Sequence, residues 1–172
     1  MNHMPNNQSR NQLQYWNLFY DLSVYFHYLQ IYQERDQVTI RSISIFTALT
    51  SSSSIAAWAI WNDFSWLWAI IIALSQVLNV VGTFLPYKQR EKTLRSVLPQ
   101  IHALLLDCED TYDEVSSGEL TEKQIHQHTM LNKRRLGSLS DQLFECGLPQ
   151  HRNYLVKAEK RATHDLSAYN TA

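Results

Sequence analysis

The chain has 172 residues, a formal charge of −1 and a pI near 6.6. With no basic excess, nucleic acid is not expected as a main partner. Two well-separated cysteines, Cys108 and Cys146, give neither CxxC spacing nor a disulfide framework, and reduced thiols are expected. Four glycines and four prolines leave little material for turns, which favours long helices.

Residues 1–9 are polar and read as a disordered tail, with no cleavable signal peptide. Residues 10–40 contain neither Gly nor Pro and predict an aromatic helix ahead of a membrane. Tyr15, Trp16, Phe19, Tyr20, Tyr25, Phe26, Tyr28 and Tyr32 crowd this segment. Trp16, Phe19 or Tyr20, Leu22 or Ser23, Phe26 or His27, and Tyr32 share a broad face. That face either packs on the later helices or lies on a lipid surface. His27 reads as a packed, hydrogen-bonded residue rather than a ligand.

Residues 42–62 and 64–87 carry no charge, with Asp63 alone between them. As helices they would reach roughly 31 and 36 Å, against a hydrocarbon core of about 30 Å. Trp58, Trp61, Trp66 and Trp68 cluster about the turn in the manner of an interfacial belt. The expectation is a two-helix transmembrane hairpin; the alternative is a pair of buried core helices in a soluble domain. Arg35 and Arg41 precede the hairpin, and Lys88, Arg90, Lys92 and Arg95 follow it. This asymmetry places both termini of a multi-pass membrane protein in the cytoplasm; the location expected is an inner membrane.

Polar residues line both stretches. Ser44, Thr47, Ser51 and Ser54 recur at helical spacing in the first, and Gln76, Asn79 and Thr83 in the second. Such groups need partners at bilayer depth. They either hold helices together or line a water-filled path.

Residues 88–172 read as a cytosolic, coiled-coil-like helical region. Leu94, Leu98, Ile101, Leu105, Cys108, Tyr112 and Val115 step by four and three, a heptad seam that continues through Pro99. The seam serves either a later helix of the same chain or a second copy. Gly118 suits a left-handed helix end. Thr121 and Gln124 form a capping box that opens the next helix. That helix carries Ile125, Leu131, Leu136, Leu139, Leu143 and Phe144, and Gly147-Leu148-Pro149 ends it. A shorter helix is expected over His151–Leu166.

No catalytic constellation emerges, so no enzyme, cofactor or metal is expected. His126 and His128, two apart, point to different sides of a helix. No glycine-rich phosphate loop or GxSxG elbow occurs. Asp107, Glu109, Asp110, Asp113 and Glu114 read as a solvated face, although acidic residues oppose the dipole at that end of a helix. The fold class expected is therefore an all-α membrane protein: an aromatic helix, a transmembrane hairpin and a cytosolic helical part.

The order of features over residues 10–145 resembles the SLATT family of bacterial two-helix membrane proteins. The resemblance rests on Tyr15-Trp16 and His27-Tyr28 in the aromatic helix and on Arg41-Ser42 leading into a Ser/Thr-rich stretch. It continues through a short turn, a Trp-containing second stretch and the exit Tyr87-Lys88-Gln89-Arg90-Glu91-Lys92. The break Ser117-Gly118-Glu119-Leu120-Thr121 completes it. The resemblance implies a membrane-perforating effector of antiviral defence, homo-oligomeric and paired with a separately encoded sensor protein or a nucleotide signal. On that reading Thr47, Ser51, Ser54, Gln76, Asn79 and Thr83 are the pore-lining or interhelical residues, and the lipid bilayer is a partner. Leu94, Leu98, Ile101, Leu105 and Tyr112 form the association seam. The alternative is a non-perforating, membrane-anchored helical adaptor.

Overall fold

The computed structural model describes residues 9–60, 65–84, 87–144 and 150–170; side chains at 49–60, 65, 68, 78–79, 81–84, 87–88, 144, 168 and 170 are outside the description. Five α-helices follow in order: α1 Arg10–Ile60, α2 Ser65–Phe84, α3 Tyr87–Ser116, α4 Glu122–Phe144 and α5 Arg152–Asp165, followed by a 3-10 helix Leu166–Asn170. The expected boundary near residue 41 does not interrupt α1, which runs for 51 residues. No Gly or Pro lies between Arg10 and Ile60 to stop it. The turn at 61–64, the tail at 1–8 and the Gly147-Leu148-Pro149 stop lie outside the described residues.

The chain divides into two compact units, residues 1–33 with 92–172, and residues 34–91. In the first, the α1 face predicted from the aromatics is buried: Tyr15, Trp16, Phe19, Leu22, Phe26, Leu29 and Tyr32. It joins Leu94, Val97, Ile101, Leu104, Cys108, Tyr112 and Val115 of α3 and Ile125, Leu139 and Leu143 of α4. Each fully buried aliphatic side chain contributes about 1.5–3 kcal/mol, which makes this helical bundle the larger core among the described residues. The rings pack at preferred angles, with Phe19 stacked on Tyr112 and edge-on to Tyr169. A smaller cluster of Val24, Ile31, Ala158 and Ala162 joins α1 to α5, where alanines allow close approach.

The α3–α4 connection follows the sequence closely. Gly118 has φ +78, the left-handed conformation expected at this position. The Glu119 N–H donates to the Glu114 carbonyl at 3.1 Å, the long-range bond of a Schellman motif. Gln124 Oε1 accepts the Thr121 N–H at 2.9 Å, which supplies the return arm of a capping box. The Thr121 hydroxyl donates to the same oxygen rather than accepting from the helix. Gly118→Ala should lower stability by about 1–2 kcal/mol, because a Cβ strains this backbone while meeting nothing within 4 Å. Urea unfolding measures it. An unchanged midpoint would mean that the turn does not hold this conformation in solution.

Among the described side chains of the second unit, the buried polar residues are Asp36, Ser75 and Arg90. Burial pushes the Asp36 carboxyl up, the Arg90 charge opposes this, and Glu91 adds to the rise.

The transmembrane hairpin is corrected by the structure. Among the described residues no helix is long and apolar enough to cross a membrane. The expectation counted residues without charge, whereas a span requires residues that are apolar. Serines, threonines and amides make up nine of the 21 residues at 42–62 and five of the 24 at 64–87. The all-α membrane-protein class, the transmembrane assignment and the multi-pass inner-membrane location with its orientation all depend on such a span and fall with it. The all-helical architecture stands.

Candidate functional site

The proposed polar lining is only partly within the described side chains. Thr47 is half-buried, and its hydroxyl donates to its own helix, to Ile43 O at 2.9 Å and Ser44 O at 3.1 Å. Gln76 is exposed. Ser51, Ser54, Asn79 and Thr83 have side chains outside the description. Ser75, absent from the predicted stripe, is the buried one, and its hydroxyl donates to Ile72 O at 2.8 Å. Both hydroxyls are thus satisfied locally, in the back-bonding manner common to Ser and Thr in helices.

The proposed association seam lies inside the chain. Leu94, Ile101 and Tyr112 are buried, and Leu98 and Leu105 are half-buried against the same core. The seam packs on α1 and α4 of its own chain, so little of it remains for a second copy. This also resolves the two readings of the aromatic helix, which packs on the later helices.

One polar cluster within this core was not legible beforehand. Asn132 Nδ2 donates to Cys108 Sγ at 3.2 Å and to the Tyr15 hydroxyl at 3.4 Å. The Tyr15 hydroxyl donates to the Cys108 carbonyl at 3.3 Å. Burial, with the Asp107 charge adding, pushes the Cys108 thiol up to about 11. Burial also raises the Tyr15 phenol. A thiol held protonated is a poor nucleophile, so this cluster fixes helix register rather than supporting reaction. Cys146 is outside the described residues.

His27 matches its expectation of a packed residue. Its Nε2 lies 3.0 Å from Asp165 Oδ2 and its Nδ1 lies 3.2 Å from Gln30 Oε1. The acidic run on α3 acquires partners from later helices. Asp107 pairs with Arg135 at 3.2 Å, and Glu109 accepts from the Tyr169 hydroxyl. That bond to Glu109, followed by burial, raises the Tyr169 phenol to about 12. These contacts offset part of the unfavourable placement of acids late in α3. No group of three or more His, Cys, Asp or Glu able to hold a metal occurs among the described residues.

The surface that remains unaccounted for is on α2. Trp66, Leu67, Ile70, Leu74, Val77 and Val80 are 43–63% exposed. At 100° per residue these six fall within an arc of about 140°, roughly opposite the buried Ser75, while Ile72, 37% exposed, lies outside it. Residues 64–87 carry no charge to interrupt this face. Monomeric proteins seldom leave such a contiguous apolar patch uncovered, and one of this kind marks an interaction site. The sequence shows the absence of charge, but the direction of the face depends on knowing that Ser75 points inward.

Fold and surface together define an all-helical protein of two compact units, one a closed bundle and one bearing an apolar face. Searches of family models, curated proteins and solved structures return no match to this chain.

Proposed function

We propose that this chain is a helical interaction protein that self-associates through α2 and acts as an adaptor or effector in a bacterial antiviral system. The observation carrying the association is the uncharged face of Trp66, Ile70, Leu74 and Val77. A complementary surface must also be uncharged and apolar, and a second α2 supplies one. Two copies related by a twofold axis would bury the same patch on each, the commonest symmetry of homo-oligomers. The closed bundle of the first unit would be the platform on which a separately encoded sensor docks. The defence role rests on the resemblance to the SLATT family. The perforating step is not carried forward, because it was built on the spanning hairpin.

Cysteine crosslinking in a Cys146→Ser background tests the association. Val77→Cys should give a crosslinked dimer under mild oxidation, while Glu114→Cys, exposed on the bundle, should not. Equal crosslinking at both positions, or none at Val77→Cys, would remove α2 as the interface.

A further inference from the structure

We propose that the cleft between α1 and the first turn of α5 binds a small amphipathic anion. The ligand class has an apolar, preferably aromatic body, a carboxylate or phosphate at one end and a hydrogen-bond donor at the other. The site is independent of the α2 face and lies wholly within the first unit.

The cavity measures about 480 Å³, within the usual range for small-molecule sites. One wall is a single face of α1. Asp21, Val24, Tyr25 and Tyr28 lie at steps of three, one and three, over a rise of roughly 10 Å. Arg152 and Leu155 of α5 supply the other wall. Val24 is 9% exposed, and with Leu155 and the tyrosine rings it gives the cleft an apolar interior. Tyr25 is half-buried, and its ring forms part of the cleft wall.

The polar groups sit at opposite ends. The His151 N–H donates to the Tyr28 hydroxyl at 3.1 Å, which pins the start of α5 beside Tyr28. Arg152, the next residue, therefore stands at the Tyr28 end, and Asp21 lies two helical turns away along α1. Arg152 makes no hydrogen bond or ion pair among the described residues. Its guanidinium can give paired hydrogen bonds to a carboxylate or phosphate. The Asp21 carboxyl is pushed up by burial, opposed by the Lys133 charge, and it can accept from an amine, amide or hydroxyl on the ligand. A molecule about as long as the α1 face would meet both ends at once.

Titration of the isotope-labelled full chain by NMR tests this with two probes, para-aminophenylbutanoate and para-aminophenyl phosphate. Saturable amide shifts confined to residues 21–28 and 150–155 are expected with at least one. The stronger probe identifies which anion the cleft prefers. Arg152→Ala should weaken binding about tenfold, the scale of one charge-assisted pair. Leu155→Trp should abolish it by filling the cleft from an exposed position, with circular dichroism unchanged. No saturable shift with either probe would overturn the proposal. So would shifts elsewhere in the chain, or binding that survives both Arg152→Ala and Leu155→Trp.

Discussion

Ile101→Asp is expected to unfold the bundle unit rather than separate copies of the chain. Ile101 is fully buried in the core shared by α1, α3 and α4. Loss of its side chain alone would cost about 2–5 kcal/mol. Burying a carboxylate without a partner adds several kcal/mol more, unless local unfolding admits water. Whole domains of this size are stable by about 5–15 kcal/mol, so the sum approaches or exceeds the total. Leu106→Asp is the matched control, on the same helix but 51% exposed. It should shift stability by no more than about 0.5 kcal/mol. Thermal unfolding followed by circular dichroism and tyrosine fluorescence distinguishes the two. If Ile101→Asp kept its helicity and merely lowered the mass of an oligomer, the seam would join copies and the bundle described above would be wrong.

The second large effect is expected on α2. Ile70→Asp with Leu74→Asp should abolish self-association while leaving the bundle folded. Both side chains are about half exposed within one chain, so a carboxylate at either position is solvated in the monomer. In a twofold interface the four carboxylates of two copies would be brought together and stripped of water. Buried charges without partners cost several kcal/mol, enough to reverse micromolar association. Ala73→Asp, on the same exposed face, should weaken association in the same direction. Asp at Ser75 would act differently, because that position is buried within the chain and the change should destabilise the fold.

The comparison of sequence with structure separates by the range of the interaction. The break at Gly118 and Thr121 was legible because its partners are three to five residues apart. The seam from Leu94 to Val115 was legible as a face, since helical spacing alone defines it. What the face packs on was not, because that depends on α1 approaching from about ninety residues away. The Asn132 bonds to Tyr15 and Cys108 are hidden for the same reason. Continuity of α1 could have been read from the absence of Gly and Pro through Ile60. Instead, the change from aromatic to hydroxyl-rich composition near residue 41 suggested a boundary. The hairpin expectation failed on a different point: lack of charge set the length of the spans, and the serines, threonines and amides within them read as interhelical or pore-lining groups rather than as a limit on how apolar the stretches are. Arg152 is not legible as part of a site in the sequence, because a lone arginine has no pattern. Only the bond between His151 and Tyr28 places it at the end of a cleft.

Light-scattering mass of the full chain over a range of concentrations tests the central claim most directly. The wild-type mass should rise with concentration to a multiple of the 20.1 kDa chain, and the Ile70→Asp, Leu74→Asp variant should stay at one chain. A wild-type chain that stays single at every concentration, or a variant that associates as well as wild type, would contradict the claim. Flotation of the wild-type chain with lipid vesicles, without self-association, would contradict it equally, because the α2 face would then be covered by lipid rather than by a second copy.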